Sequence, residues 1–520
     1  MDFSPQQRDV IDFAMSGTGS LNLLAAAGCG KTTTLIEVVK YLPGSVWFCA
    51  FNRAIVSEIE YKVQHTSGIN LDNIRVSTVH SCGMRVYSKH VQPRKIRVEA
   101  RKVQGILDEL AEVNEVYVKN QAFLRKLVEY AKSAGFGVLK RIGNVPDWLE
   151  LIDHFGMDLD EEDGNRRDLD KLVSCAIVVY QKSLKLCSSE IDFSDMLLAP
   201  LYYEARFPKY DNILIDEAQD ISPLRLKLIL ECLKPGGRVI AVGDEFQSIY
   251  GFCGASEKSM EDIKEHTNAV ELPLTVTYRC PKSVVKVAQQ WVPMITAHES
   301  APEGIVREVW LSIPLAANNE PAKPGFWACA PFTHNDAVLC RNTKPLVSLA
   351  YDCLRRSIPC MVEGRDIGQG LVKLAMRWKL TTLAQLEVRL AEYKLTEIAK
   401  FESMKQEYKA AEIEDRCDTL QVLIECSQDQ GGTRIQDLVD LIGRMFGDTL
   451  EGQKPKVMIL STVHKAKGRE WQRVFILGRE KYMPSKWAKQ RWMIQQEQNL
   501  MYIAVTRAQR ELVDVNVPAK

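Results

Sequence analysis

The feature that most constrains the fold is a loop of small residues between an apolar segment, 21–24, and a segment with helix-forming character. The loop, residues 25–32, reads Ala-Ala-Ala-Gly-Cys-Gly-Lys-Thr. Small residues let backbone N–H groups approach phosphate oxygens closely, and the N-terminus of the following helix adds a favourable dipole. Lys31 is placed to reach the outer phosphates of a nucleotide, and the Thr32 hydroxyl to ligate Mg²⁺. The pattern predicts a P-loop, although Ala25 replaces the usual first glycine.

A second apolar segment, 213–215, ends in two acidic residues, Asp216 and Glu217. Asp216 suits the coordination shell of Mg²⁺, and Glu217 is suited to orient and deprotonate an attacking water. An apolar strand followed by two acids is common by itself, but here it accompanies a P-loop. Together the two segments predict a nucleoside triphosphatase. The residues expected to hold its phosphates are Ala27, Gly28, Cys29, Gly30, Lys31, Thr32 and Thr33.

Short apolar segments separated by helical stretches are typical of parallel α/β sheets. They occur at residues 21–24, 46–51, 213–215, 239–242, 457–460 and 474–477. Because they form an early and a late group, we expect two α/β domains, comprising 1–82 with 190–272 and 273–365 with 455–520. Each domain is expected to carry a mainly helical insert, at 83–189 and 366–454 respectively.

Composition excludes several classes of protein. Lys plus Arg and Asp plus Glu each number 67, so the formal net charge is zero and any nucleic acid must be held by local basic patches. No apolar run approaches the ~18 residues of a membrane span, and the charged, amphipathic N-terminus does not resemble a signal peptide. Fourteen cysteines without a CxxC pair indicate reduced thiols. We therefore expect a soluble, cytoplasmic protein, in a host cytoplasm if the chain is viral.

Further segments occur in an order that characterises a known family. They are residues 4–10 (SPQQRDV), 51–54 (FNRA), 77–80 (STVH), 242–252 (VGDEFQSIYGF), 278–279 (YR), 461–471 (STVHKAKGREW) and 500–508 (LMYIAVTRA). With the P-loop and the acidic segment, they make the chain resemble superfamily 1 helicases of the UvrD/Rep/PcrA type, over most of its length outside the two inserts. Residues 49–58 followed by 78–81 are similar to the FBH1-like branch in particular.

This resemblance implies two RecA-like domains in tandem, with ATP and Mg²⁺ as cofactors. It implies that Gln7 reads the adenine edge, that Tyr278 stacks on the base and that Glu470 lies toward the ribose. Gln247 belongs to the segment that couples the nucleotide state to bound DNA. Arg279 is expected to touch the γ-phosphate and Arg507 to act as an arginine finger, since phosphoryl transfer develops negative charge on the transferred oxygens. Cys29 replaces a common serine, which raises the possibility of a thiol-sensitive enzyme.

The resemblance also implies a path for single-stranded DNA, held by backbone contacts and by stacking on aromatic rings. The candidate DNA-binding residues are Phe51, Asn52, Thr78, His80, Tyr250, Phe252, Thr462 and His464. Tyr250 and Phe252 flank Gly251 and are the first choice for stacking. A basic run at 85–102 suits either phosphate neutralisation or an ordinary solvated face.

The sequence therefore predicts an ATP-dependent DNA helicase that translocates 3′-to-5′ and acts at single-strand/duplex junctions, with the polarity implied by the resemblance alone. A monomer is expected, and a protein partner in repair, recombination or replication is possible. Two alternatives have the same motifs. One is a translocase that strips proteins from single strands, and the other is a nucleotide-gated DNA-binding subunit of a larger assembly. RNA also remains open as a substrate, because backbone contacts and stacking discriminate weakly.

Overall fold

The computed structural model describes residues 3–16, 18–50, 52–92, 95–155, 157, 166–249, 258–311, 325–403, 407–447 and 457–517. The chain divides into two compact units, Met1–Thr275 and Val276–Lys520. None of the helices in the described ranges combines the length and apolar character needed to cross a bilayer. The finer assignment of inserts at 83–189 and 366–454 stays a prediction.

Unit 1 alternates strands and helices. Its strands are β1 (Leu21–Ala25), β2 (Val46–Ala50), β3 (Ile74–Thr78), β4 (Arg97–Val98), β5 (Glu190–Ile191), β6 (Tyr210–Ile215), β7 (Leu233–Gly243) and β8 (Val270–Leu274). Its helices are α1 (Pro5–Ser16), α2 (Lys31–Val39), α3 (Arg53–Gln64), α4 (Val79–His90), α5 (Lys102–Ala111), α6 (Glu115–Ser133), α7 (Val145–His154), α8 (Arg166–Leu186), α9 (Asp195–Tyr202), α10 (Pro223–Glu231) and α11 (Ser259–Thr267).

The main sheet of unit 1 places three loop-bearing strand ends side by side. Within the described residues it has six strands in the order β3-β2-β6-β7-β1-β8, and all the pairs are parallel. Since parallel strands end at the same edge, the carboxyl ends of β6, β7 and β1 are neighbours. The P-loop, Asp216 and the segment after β7 therefore meet at one edge.

Both faces of this sheet are covered by helices. Successive residues of a strand point to opposite sides, so neighbouring strand residues belong to different cores. Phe48 and Leu214 belong to a core shared with α1, α2 and α3. Trp47 and Ile213 belong to a second core that continues into α5 to α8, through buried residues such as Trp148. The helical region thus packs directly onto the sheet that carries the P-loop.

Unit 2 has the same architecture. Its strands are β9 (Val276–Thr277), β10 (Thr296–Ala297), β11 (Ile305–Trp310), β12 (Asp336–Cys340), β13 (Cys360–Glu363), β14 (Phe446–Gly447), β15 (Met458–Thr462), β16 (Trp471–Leu477) and β17 (Ala508–Asn516). Its helices are α12 (Lys282–Ala288), α13 (Thr343–Arg355), α14 (Arg365–Ala375), α15 (Leu383–Ser403), α16 (Glu407–Asp429), α17 (Ile435–Met445), α18 (Val463–Ala466), α19 (Arg479–Tyr482) and α20 (Arg491–Val505).

The main sheet of unit 2 is also parallel throughout. In the part of the chain that the structure describes, seven strands follow the order β11-β17-β16-β12-β15-β13-β14. Its core joins strand residues such as Val338 and Phe475 to Leu420 and Leu438 of the helical region. Two parallel-sheet domains in tandem confirm the predicted α/β fold class.

Candidate active site and nucleic-acid interface

The P-loop is shaped by two glycines in the left-handed region of backbone space. Gly28 has φ 71° and Gly30, which precedes α2, has φ 79°. Side chains with a Cβ rarely adopt this conformation. A Cβ on Gly30 would also lie 3.0 Å from the side-chain nitrogen of Gln7. The loop therefore turns tightly enough to direct the first N–H groups of α2 toward an anion.

Gln7 lies directly beneath this turn. Its Nε2 donates to Thr34 Oγ1 at 3.0 Å, and the Thr34 hydroxyl donates to the Gly30 carbonyl at 3.0 Å. Its Oε1 accepts from the Ser4 amide at 3.0 Å. The buried side chain links α1 to the start of α2, while its predicted role in reading adenine stays a prediction.

The catalytic residues predicted from two distant segments meet at the sheet edge. Lys31 Nζ lies 3.5 Å from Glu217 Oε2, and Thr32 Oγ1 donates to Asp216 Oδ2 at 2.6 Å. The other Asp216 oxygen accepts from the Glu217 amide at 2.9 Å. Glu217 has φ 53°, which is uncommon for a residue with a side chain and recurs at functional sites. This backbone turn lets Asp216 contact Thr32 while Glu217 contacts Lys31.

A chain of hydrogen bonds extends from Glu217 to Gln247. Gln219 Nε2 donates to Glu217 Oε2 at 2.5 Å, and Gln219 Oε1 accepts from the Asp244 amide at 2.9 Å. The Gln247 amide group in turn donates to the Asp244 carboxylate. Gln247 was expected at this site from the sequence, whereas Gln219 and Asp244 were not. Asp244 follows the apolar strand β7, as Asp216 follows β6, and that signal was available.

The electrostatics of this cluster favour an added cation. Burial raises the pKa of Asp216 to about 6, with Glu217 adding to the shift, and burial likewise raises the pKa of Asp244 to about 6. Burial opposes the charged form of Lys31, but Glu217 and Asp244 outweigh it and hold its pKa above the ordinary value. Three carboxylates thus surround one lysine. This imbalance, beside a hydroxyl oxygen, suits Mg²⁺.

Mg²⁺ would be held here by few protein ligands. The described residues contain no group of three or more His, Cys, Asp or Glu side chains arranged around one metal position. Mg²⁺ commonly takes one or two carboxylates together with substrate phosphates and water. Thr32 and Asp216, already in contact, match that pattern.

Cys29 is not placed for thiol chemistry. It is 2% exposed, and burial raises its pKa to about 12. The thiolate is the reactive form, so such a thiol is inert at neutral pH. The structure argues against the thiol sensitivity that the sequence suggested.

In unit 2, the predicted arginines lie close together. Arg279 pairs with Glu470, whose other oxygen accepts from Gln509 Nε2 at 2.7 Å. Arg507 is 1% exposed and donates to the carbonyls of Ile503 and Arg469 at 3.0 and 3.1 Å. Burial lowers the pKa of Arg507 to about 9, with the Arg279 charge adding to the effect.

Tyr278 precedes this arginine cluster. Its side chain is 43% exposed, and its ring lies against His298 with centroids 4.8 Å apart. One part of the ring is therefore supported by the protein while another faces outward, as a stacking platform requires.

Three predicted DNA-binding residues share one local geometry. Asn52, Thr78 and Thr462 each precede a helix at the carboxyl end of a strand. Asn52 Oδ1 accepts from the Ile55 amide at 2.9 Å, and Thr78 Oγ1 accepts from the Ser81 amide at 3.1 Å. Helix N-termini present N–H groups to phosphates, so Asn52 and Thr78, which precede helices of 12 residues, suit backbone contacts. Phe51, Tyr250 and Phe252 lie outside the described residues.

The two predicted histidines are neutral. Burial lowers the pKa of His80 to about 4, with Arg225 adding to the shift. Burial lowers the pKa of His464 to about 3, with Arg341 adding to the shift. Each ring therefore offers one N–H donor and no positive charge to a phosphate at neutral pH.

The structure also contains a surface around Phe193 that was not expected from the sequence. Phe193, which is 62% exposed, lines a cavity of about 380 Å³. The charged and amide side chains that also line it are Arg101, Gln104, Arg125, Glu129 and Asp192. Arg125 pairs with Glu129 at 3.0 Å. An exposed ring beside arginines suits base stacking with phosphate contacts. No sequence signal separates Phe193 from a core phenylalanine, because only burial distinguishes them.

The basic run 85–102 does not form one uniform face. Arg101 lines the cavity, and Arg97 pairs with Glu190 at 2.8 Å. Lys102 is instead 2% exposed and lies in the protein interior. Neither phosphate neutralisation nor a solvated face therefore describes the whole run, because Lys102 is buried.

Comparison with known proteins decides the family. The UvrD/REP helicase N-terminal domain model matches residues 3–268, which is more than half of the chain. The chain belongs to the UvrD/REP helicase family. The UvrD-like helicase C-terminal domain model matches residues 369–514. These matches confirm the predicted resemblance.

Relatives of this UvrD-like chain support the same assignment. It is 24% identical to F-box DNA helicase protein 1 of Schizosaccharomyces pombe, across 98% of this chain and 57% of that protein. It is 25% identical to the ATP-dependent DNA helicase PcrA of Bacillus subtilis, across 52% of this chain and 37% of PcrA. It is 24% identical to the ATP-dependent DNA helicase UvrD1 of Mycobacterium tuberculosis, across 69% of this chain and 49% of UvrD1. The chain thus spans roughly half the length of these relatives.

The matched ranges divide the site residues of this UvrD-like chain. The N-terminal match includes the P-loop, Asp216 and Glu217, and the C-terminal match includes Glu470 and Arg507. Tyr278 and Arg279 lie between the two matches. Their assignment depends on the local motif and on the observed pairing with Glu470.

Proposed function

We propose that this protein is an ATP-dependent DNA helicase that translocates 3′-to-5′ along single-stranded DNA and unwinds duplex at junctions. The observation that carries the proposal is the meeting of Lys31 with Glu217 and of Thr32 with Asp216 at one sheet edge. The 3′-to-5′ polarity is taken from family membership.

ATP hydrolysis would use these residues in distinct roles. Lys31, held positively charged by its carboxylate neighbours, would bind the outer phosphates. Thr32 and Asp216 would hold Mg²⁺, which neutralises charge that develops on the phosphate oxygens. Glu217 would orient the attacking water and accept its proton. The link from Glu217 through Gln219 and Asp244 to Gln247 would transmit the nucleotide state.

Arg279 and Arg507 are proposed to stabilise the γ-phosphate during transfer. By analogy with the family, ATP binding and hydrolysis would close and open a cleft between the two RecA-like domains. Arg279 would have to exchange its contact with Glu470 for the nucleotide, and Arg507 would have to release its carbonyl partners. Both sets of contacts are non-covalent and can be broken and re-formed in each cycle of ATP hydrolysis.

Single-stranded DNA is the proposed track. Asn52 and Thr78 would receive phosphates at the N-termini of α3 and α4, and Phe193 would stack on a base beside Arg101. Thr462 stays a predicted DNA contact. None of these contacts distinguishes one base from another, as expected of a motor that moves along any sequence.

The deciding experiment is strand displacement with ATP on matched duplexes carrying a 3′ tail, a 5′ tail or no tail. Unwinding from the 3′ tail alone would support the motor and its polarity. Unwinding from the 5′ tail alone would overturn the polarity. DNA-stimulated ATPase without unwinding would replace the helicase proposal with a translocase that strips bound proteins or with a subunit that needs a partner.

A further inference from the structure

The exposed ring of Phe193 sits in a turn that is closed by reciprocal hydrogen bonds. The Asp192 amide donates to Asp195 Oδ2 at 3.0 Å, and the Asp195 amide donates to Asp192 Oδ1 at 2.9 Å. Each aspartate thus caps the backbone of the other across Phe193 and Ser194. The turn connects β5 to α9 and is fixed at both of its ends.

Two buried lysines hold the same aspartates from the opposite side. Lys102 of α5 lies 2.7 Å from Asp195 Oδ2, and Lys132 of α6 lies 2.7 Å from Asp195 Oδ1 and 2.6 Å from Asp192 Oδ2. The side chains of Lys102, Lys132 and Asp195 are 0% exposed. We call these two lysines and two aspartates the clamp.

The clamp places four ionisable side chains almost entirely out of contact with water, which is uncommon. Removing four charges from water is costly, and well-packed apolar residues commonly stabilise a core as well or better. Opposing the effect of burial, the lysines hold the pKa of Asp195 below its ordinary value, and the aspartates hold the pKa of Lys132 above its ordinary value. Asp195 and Lys132 are therefore held in their charged forms. Phe193, between the two aspartates, is by contrast an apolar ring left 62% exposed.

We propose that the clamp, of which Asp192 and Lys132 form one pair, holds the 192–195 turn so that the Phe193 ring is presented to a nucleobase at the cavity mouth, its members acting as positioning residues. This inference rests on the proposed function, because it assumes that single-stranded DNA is the ligand. A ring fixed before binding loses less conformational freedom when a base stacks on it. The helices α5 and α6 thereby contribute to DNA affinity without touching the base.

Asp192 offers the sharpest test, because two substitutions separate its contacts. Asp192→Asn keeps an oxygen for the Asp195 amide but removes the charge, whereas Asp192→Ala removes both. The measured quantities are kcat and the oligothymidylate concentration that gives half-maximal ATPase stimulation. With Asp192→Ala we expect that concentration to rise about tenfold, as for loss of one stacked base, with kcat at saturating DNA retained. Asp192→Asn should cause a smaller rise, and the matched surface control Lys182→Met none.

A double-variant cycle distinguishes positioning from a general structural role. If Asp192 acts through the ring, Phe193→Leu combined with Asp192→Ala should bind DNA no more weakly than Phe193→Leu alone. Additive losses, or an unchanged half-maximal concentration in Asp192→Ala when Phe193→Leu weakens binding, would overturn the inference. An unchanged value in Phe193→Leu would also overturn it. Absence of any DNA stimulation in the unmodified protein would instead refute the proposed function.

Discussion

Unit 1 contains two buried clusters of lysine and carboxylate side chains that differ in charge balance. At the P-loop, Lys31 has three carboxylates around it, Asp216, Glu217 and Asp244. In the clamp, Lys102 and Lys132 face two aspartates, and every charge has an opposite partner. The first cluster is completed by adding a cation and a phosphate, while the second is already complete. Charge balance, rather than residue type, separates a binding site from an internal support.

The largest expected effect comes from unbalancing the clamp. Lys132→Met leaves two buried aspartates with one lysine, and breaking such a buried pair costs about 3–5 kcal/mol. We expect a loss of this size in the free energy of unfolding, measured by denaturant titration. Lys182→Met, which removes an exposed pair with Glu109, should change it by less than about 1 kcal/mol. Equal losses in the two variants would show that the clamp is no more than a surface-like pair.

The second prediction removes the cation from the unbalanced cluster. Lys31→Ala should lower ATP turnover at least about a hundredfold, because the substitution removes the positive charge that lies at the P-loop among three carboxylates. Turnover is measured with and without single-stranded DNA. Lys40→Ala, at the far end of the same helix, is the matched control. Wild-type turnover in Lys31→Ala would refute the assignment of the site.

The third prediction concerns the half-buried His464, whose neutral form is favoured. His464 has a pKa lowered to about 3 from 6.5 by burial, with Arg341 adding to the effect. The unfolded chain therefore binds this proton more readily than the folded chain, so stability should fall as the pH drops from about 6.5 toward 3. The free energy of unfolding is measured against pH. In His464→Gln its decrease between pH 6.5 and 3 should be smaller than in the unmodified protein, by on the order of 1–3 kcal/mol. His334→Gln, at an exposed histidine, is the matched control.

The smallest effect is expected at Cys29, which lies in the unbalanced site but takes no part in its charge. Its burial and raised pKa keep it as a thiol. Cys29→Ser should change ATP turnover by less than about threefold, since backbone donors bind the phosphates. A thiol-alkylating reagent should leave the rate unchanged over minutes. Rapid inactivation that Cys29→Ser abolishes would contradict this prediction.

The nucleotide site was largely predictable because its signals are local. An apolar strand followed by a turn, as at Lys31 or Asp216, places a residue at a sheet edge without knowledge of the rest of the fold. The same rule would have found Asp244, which the prediction missed. Gln219 was not predictable, because its role depends on β6 and β7 being neighbours.

The DNA surface was harder to predict. Asn52 and Thr78 are recognisable as residues that begin helices after strands, and the structure places them there. Phe193 and the clamp depend on contacts of α5 and α6 with a turn that follows β5, far along the chain. A basic run that includes Lys102 predicted a surface, while tertiary packing placed that lysine inside.

The amino-acid sequence by itself determined the fold class, the family and the identity of the P-loop, because each depends on short-range patterns of apolar, small and charged residues. Only the tertiary structure decided which charges are balanced, since balance is set by residues that are distant in sequence and adjacent in space. It paired Lys132 with Asp192 and Asp195, and left Lys31 among an excess of carboxylates. That distinction arises because a buried charge must find its partner within a few ångströms.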